Sequence, residues 1–598
     1  MAKGTLDIIP LEVAGSLPGL FRERVRRTPD AIAYRHFDPL QGRWEDYSWQ
    51  AAARQVAAIQ VALQGEGLSA GDRVAILLRN SPQWAFFEQA ALGLGLVVVP
   101  LYTNDRAENL SYILQDAGVR LLLLEGDADL QQLSSIAAQL QGLVRIVSVQ
   151  ACASAAGYAR RVALGDWQVF DQQPTLPTPP DIDSLATLVY TSGTTGRAKG
   201  VMLSHRNILF NVAAALQVFP IYREDLLLSF LPLSHMLERT LGYYIPMMAG
   251  SRVAFARSVE NLAEDLLSQR PTILISVPRI YERVYNRIQA QVADKSGLAR
   301  GLFNRAVDVG WRRFSEGASG GLRWPILKAL VANKVMAKLG GRLRLAICGG
   351  APISAEVSRL FIGLGLNLIQ GYGLTETSPI ISGNPEQDND PASVGVPLPG
   401  IEVRVGEHDE LLTRSPSVML GYWNNPSATR AVIDDEGWFH TGDKGRLENN
   451  HIYITGRLKE IIVLSNGEKV PPVDMEMAIC LDPLFEQALV IGEGRPYLSA
   501  ILVLEPQAWR EELAAQDLDG QGLDEQQAIS DPAVQQRMLE RVAARLTDFP
   551  GYAKICALCL STTAWTIEDG SMTPTMKLRR EAIIAQHQAD IDRMYAGH

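Results

Sequence analysis

Cysteine is scarce in this chain: five among 598 residues, an odd number at irregular spacing (Cys152, Cys348, Cys480, Cys556, Cys559). That excludes a disulfide framework and suits a reducing compartment, so a cytoplasmic location is the expectation. Cys556 and Cys559 form a CxxC inside the apolar run KICALCLS, with no second pair and no histidine close in sequence. The pair reads as buried and structural, not as a metal or redox motif. Long uninterrupted hydrophobic runs are missing too. The most tempting stretch, LLLSFLPLSHMLERTLGYYIPMMAG, is broken by His235, Glu238 and Arg239, which argues against a spanning helix. The N-terminal stretch lacks a long apolar core and a small-residue cleavage site, so no signal peptide is read there. No long basic run occurs, and a formal net charge of −10 sets nucleic acid aside as a partner.

What is present is ordinary globular composition, 47% hydrophobic and 20% charged, over a length that exceeds one comfortable core. At least two domains are expected. RVAILL, SPQWAFFEQAALGLG, LVVVPLY, ENLSYILQDAG and VRLLLLEG alternate strand and helix, and TILISVP, LRLAICGG and NLIQGYG bring the strand pattern back later. Continuously apolar strands predict parallel sheets covered on both faces. A boundary is read at residue 457, giving domains 1–456 and 457–598, the second with its own strands in QALVIGEG and YLSAILVLEP.

Three of the apolar strands run straight into glycine-containing polar turns: TLVYTSG, LRLAICGG and NLIQGYG. Ligands of open α/β sheets bind beyond the carboxyl ends of strands, so these turns predict one shared crevice. The first continues as YTSGTTGRAKG, residues 190–200, a loop suited to phosphate: glycines let backbone N–H groups approach, hydroxyls add donors and Lys199 adds charge. It is not the common nucleotide loop, which needs Ser or Thr directly after its lysine, because Gly200 follows Lys199.

YTSGTTGRAKG, GYGLTETSP (371–379), GWFHTGD (437–443), ITGRLKEIIVLSNGEKV (454–470) and TPTMKLRR (573–580) occur in that order, and nearly the whole chain resembles the adenylate-forming acyl-CoA synthetase and luciferase superfamily. LPLSHMLERT and SNGEKVPP look most like its long-chain fatty acyl-CoA synthetase branch. The resemblance implies a fold: a large N-terminal domain of mostly parallel α/β subdomains with a small β-rich part, and a smaller mobile α+β C-terminal domain. It also implies a two-step reaction using ATP, Mg²⁺ and coenzyme A, in which a fatty carboxylate becomes an acyl-adenylate and then a thioester. An acyl-AMP ligase that delivers to a carrier-protein thiol is the alternative.

Carried onto this sequence, the resemblance places Thr191, Ser192, Gly193, Thr194, Thr195, Gly196 and Lys199 on the β- and γ-phosphates, with His205 organising the loop's end. Gly349, Gly350 and Ala351 would wall the adenine against Tyr372, with Gly371 and Gly373 in the same turn. Thr375 would bond the α-phosphate, and Glu376 would ligate Mg²⁺. Asp443 would accept from the ribose hydroxyls. Arg457 would reach the nucleotide, a surface salt bridge being its bland alternative. Lys577 would bridge the attacking carboxylate and the α-phosphate. Many relatives have Gly directly before that lysine where this chain has Met576, and Lys554 is a competitor. His235 would sit beside the reacting carboxylate, or be merely structural. Lys459 would be the hinge, and Gly467 would line the pantetheine channel. The acyl walls are expected near 235–245, 277–281 and 347–380, with Tyr243, Tyr244 and Met247 among them and no charge to match a polar acid. Residues 299–340 mix aromatic and basic side chains; they read either as amphipathic helices on an anionic membrane or as packed surface helices. Chain length and oligomeric state, a homodimer included, are not legible.

Overall fold

Two mixed sheets, each with a parallel centre, carry the N-terminal two thirds of the chain. The structure is a computed structural model and describes residues 4–152, 160–174, 180–191, 197–317, 323–515, 525–573 and 576–596. In one sheet the strands Leu185–Thr191, Val97–Pro100, Arg73–Leu77, Val119–Leu124 and Arg145–Ser148 lie side by side and parallel. In the other, Ile32–Asp38, Arg252–Phe255, Leu226–Ser229, Ile273–Ser276, Leu345–Cys348 and Leu368–Gly373 do the same. Their central strands are buried on both faces, which is why they read as unbroken apolar runs. Helices between them start on sequence-encoded caps. Ser81 Oγ accepts from Trp84 N ahead of Pro82–Gly93, where a proline in the first turn gives up an N–H that has no helical partner anyway. A small antiparallel sheet of Glu402–Val405, Glu410–Arg414, Phe439–Glu448 and His451–Arg457 completes this part.

The remaining chain has its own core. Strands Phe485–Ile491 and Leu498–Leu504 pair antiparallel, Ile555–Ser561 joins in parallel, and Met475, Ile479, Trp509, Val534 and Met538 pack beneath them. Two ion pairs tie this α+β unit to the large part: Arg279 to Glu486 at 3.5 Å and Arg545 to Glu356 at 3.4 Å.

Two expectations are corrected here. The CxxC is not a buried pair. On the strand Ile555–Ser561 its cysteines sit three residues apart and point to opposite faces, leaving Cys556 exposed and Cys559 half-buried, both free. Cys559 lies instead beside His587 and Asp590, and Asp590 is already paired with Arg593. The membrane reading of 299–340 loses its aromatic side chains to packing as well, although Ile326 and Leu330 stay exposed. Phe303, Ala306, Val307 and Gly310 of the helix Gly297–Ser315, and Trp324, Leu327 and Val331 of the helical segments after residue 322, are buried against the second sheet's core. Trp311 and Phe314 pack onto the same cluster. Among the described residues no helix is long and apolar enough to cross a membrane.

Candidate active site

The carboxyl ends of strands from both sheets open onto one cleft of about 1330 Å³. Tyr190 and Thr191 come from the first sheet, and Gly349, Gly350 and the turn from Gly371 to Glu376 come from the second. The strand ends that lead into the three glycine turns therefore converge, as their sequence pattern predicts; the first turn's own glycine lies outside the described residues.

The phosphate-loop sequence turns out to be a hairpin. Leu185–Thr191 pairs antiparallel with Lys199–Ser204, Thr191 standing opposite Lys199 at its neck. Ser192, Gly193, Thr194, Thr195 and Gly196 lie outside the described residues. Lys199 Nζ stands 4.9 Å above the ring of Tyr422, whose hydroxyl donates to Glu376 Oε1 at 2.9 Å. The loop's cation and the acidic turn are thus linked through one aromatic ring. The sequence reading missed Tyr422; it follows no motif and reaches the cleft only because Gly421–Tyr422 pairs with the strand Lys199–Ser204.

Asp443 is the polar centre of the opposite wall. It is 3% exposed, accepts from the Tyr372 hydroxyl at 2.7 Å through Oδ2, and meets Arg457 Nε at 2.9 Å through Oδ1. The neighbouring strands Phe439–Glu448 and His451–Arg457 put Asp443 and Arg457 directly opposite each other. Glu410 braces the turn before Asp443, taking Gly442 N at 3.0 Å and lying 2.8 Å from His440 Nδ1. Sequence reasoning also passed over this residue.

Lys577 faces the same cleft from the C-terminal unit. The residue is exposed into the cleft, yet enough protein surrounds it to desolvate its charge. That burial, with Arg457 near, lowers its pKa from the usual lysine value, while Asp443, Glu460 and Glu376 act to raise it. Thr573 holds the lysine's backbone in a turn, accepting Lys577 N at 3.1 Å and donating its own N–H to Lys577 O at 2.8 Å. Met576 has φ +62°, the left-handed region that glycine enters without steric cost. Met576 thus holds, ahead of the lysine, a backbone shape that glycine would take more readily.

His235 also lines the cleft, close enough to Lys577 for the two charges to interact. Burial first, then that cation, push its pKa down to about 4, so the ring is neutral near pH 7. Its Nδ1 accepts Leu237 N at 3.2 Å, which leaves the proton on Nε2.

Thr375, Gly349, Gly350, Gly371, Gly373 and Lys459 line the cleft as expected. Ala351 does not: it is exposed, one residue beyond the lining. Gly467, at φ +86° in the turn between Ile462–Val463 and Lys469–Val470, is outside the cleft with open space around it. His205 is not at the loop's end. It is buried, and its Nδ1 accepts Leu17 N at 3.3 Å, pinning an N-terminal helix. The expected acyl walls are half right. Leu237, Leu241, Ile347, Pro379 and Ile380 line the cleft, but nothing from 277–281 does, and Tyr243, Tyr244 and Met247 turn away into the core.

The AMP-binding enzyme family matches residues 21–423, and the AMP-binding enzyme C-terminal domain matches residues 459–598. A long-chain-fatty-acid–CoA ligase of Mycobacterium bovis is 31% identical over 582 residues, covering 96% of both chains. The peroxisomal long chain acyl-CoA synthetase 6 of Arabidopsis thaliana is 30% identical, over 93% of this chain and 83% of its own. Among solved structures, an anthranilate CoA ligase in complex with anthranoyl-AMP superposes with a TM-score of 0.74 at 20% identity, over 98% of this chain and 99% of its own.

Proposed function

The chain belongs to the AMP-binding enzyme family, and on that premise we propose that it is an ATP-dependent, AMP-forming ligase joining a long-chain fatty acid to coenzyme A. One observation carries the reading. Lys577 from the C-terminal unit, Glu376 and Asp443 from the large part, and His235 from the apolar side all face one cleft.

In the first step a carboxylate oxygen attacks the α-phosphorus and the bond to the bridging oxygen breaks, releasing pyrophosphate. Two anions must approach each other, and Lys577 is placed to offset their repulsion and the charge that builds on the crowded phosphorus. Thr375 donates to the α-phosphate. The neutral Nε2–H of His235 orients the incoming carboxylate without taking its proton. Asp443 accepts from the ribose hydroxyls and Tyr372 covers the base, while Arg457 holds Asp443 in place. Lys199 offers its charge to the departing pyrophosphate.

Mg²⁺ fits this donor set. A single carboxylate, Glu376, already oriented by Tyr422, faces a cleft wide enough for the ion to keep several waters and take its other ligands from phosphate. When bound, the ion neutralises phosphate charge.

In the second step the thiolate of coenzyme A attacks the acyl carbonyl, and AMP leaves. The position of Gly467 outside the cleft supports a rotation of the C-terminal unit about Lys459 between the steps, withdrawing Lys577 and bringing the 465–470 turn inward. Pyrophosphate release over a panel of carboxylic acids, with AMP and acyl-CoA as the other products, tests the whole reading. ADP as the nucleotide product, or turnover of polar acids alone, would overturn it.

A further inference from the structure

The apolar lining of the cleft includes one almost wholly buried ring, Phe219; its part in chain-length choice rests on the aliphatic-acid reading above. The arm begins at Gly349, where an added Cβ would stand 3.2 Å from Leu237 Cδ1. Leu237, Leu241, Pro379 and Ile380 line the same cleft. Phe219 also lines the cleft although only 2% of it is exposed, so it is reached from inside alone. It follows the helix His205–Val218 and points the tip of its ring at residue 383. A Cβ on Gly383 would come 2.2 Å from Phe219 Cζ, so the ring occupies the space that glycine leaves vacant.

The side walls of this arm cannot yield. Leu241 belongs to a wide-turn helical segment, Arg239–Tyr244, that is clamped from both sides. Behind it Arg239 meets Glu88 Oε1 through Nε at 2.8 Å and Nη2 at 2.5 Å, both side chains fully buried, and the Tyr244 hydroxyl donates to the same oxygen at 2.8 Å. In front, Thr240 donates to Ser378 O at 3.1 Å, in the turn that carries Thr375 and Glu376. Walls held by a desolvated ion pair and a backbone bond leave the ring at the end as the element that fixes depth.

We propose that Phe219 is the floor of the acyl arm and sets the longest saturated chain this enzyme activates at full rate, with Gly383 present so that the ring can retreat that far. The test is a series of saturated monocarboxylic acids of increasing length, assayed by pyrophosphate release with wild type, Phe219→Leu, Phe219→Ala and Gly383→Ala. Phe219→Ala should move the optimum to longer chains, and Phe219→Leu should move it less. Each extra methylene accommodated gains up to about fourfold in kcat/KM, the equivalent of about 0.8 kcal/mol per buried CH₂. Gly383→Ala, which pushes the ring into the arm, should move the optimum to shorter chains. KM for ATP should not change in the two Phe219 variants, whose ring touches none of the nucleotide-side residues named above. If wild type turns over the series but the optimum stays put in Phe219→Leu and Gly383→Ala, the floor is elsewhere and the proposal falls. If wild type turns over none of the series, the aliphatic reading falls and takes this proposal with it.

Discussion

The two halves of the cleft are built on opposite principles. The nucleotide half is polar and short-range: Asp443, Tyr372, Arg457, Glu376, Tyr422 and Lys199 hold one another through contacts of 2.7 to 4.9 Å at the surface of the cavity. Apart from His235, the acyl half shows the substrate apolar side chains and keeps its polar scaffold hidden behind them, in the Glu88–Arg239 pair. A charged ligand needs donors it can touch, whereas an alkyl chain needs only shape, and shape must be fixed by something it never meets.

The comparison breaks first at Glu88. Glu88→Ala leaves the Arg239 cation buried without its partner, and stability should fall by about 3–5 kcal/mol, read from denaturant unfolding. Any folded fraction should show a raised KM for fatty acid with KM for ATP unmoved. A change confined to ATP would mean that the ion pair serves the nucleotide half instead.

Lys577→Ala should lower pyrophosphate release by about 10²–10³-fold while conversion of supplied acyl-AMP to thioester is largely kept. Equal loss of both half-reactions would remove the lysine's place in the first. The same group gives a pH signature. Burial and Arg457 lower its pKa, so the cation is lost on raising pH earlier than for a free lysine. Adenylate formation should decline as pH rises through that depressed value. His235, pushed down to about 4, should add no inflection between pH 6 and 7.

Asp443→Ala sharpens the contrast from the polar side. Losing charge-assisted hydrogen bonds worth about 1.5–3 kcal/mol should raise KM for ATP about 10- to 100-fold and leave the preferred acyl length untouched. The smallest effect is expected at Met576. Left-handed backbone costs an L side chain about 1–2 kcal/mol, and glycine returns about 0.5–1 kcal/mol of that as unfolded-state entropy. Met576→Gly should therefore stabilise the protein by no more than about 1 kcal/mol, measured as a slight rise in the unfolding midpoint, with Lys577 chemistry intact.

Legibility followed the same division. Strand positions such as Arg73–Leu77 and Leu345–Cys348, and the convergence of the glycine turns, could be read because burial on both faces forces an apolar run and phosphate binding forces glycine and hydroxyl residues into fixed order. Tyr422 and Glu410 could not, because each matters only through a partner brought close by strand pairing. Tyr243 and Tyr244 were misplaced for a related reason: the sequence shows aromatic rings near His235 but not which side of a wide-turn helix faces the cleft. His205 carries the same lesson, its ring spent on Leu17 N, nearly two hundred residues away in the chain.

By itself the sequence determined the reaction family, the order of the polar motifs and the two-part architecture, since each depends on residues close together along the chain. Only the tertiary structure decided that Phe219 meets Gly383 at the cleft, that Glu88 pairs with Arg239 behind it, and that Met576 takes up a glycine's backbone shape. Those outcomes depend on which distant apolar and charged groups are packed together, and burial leaves no local pattern to announce it.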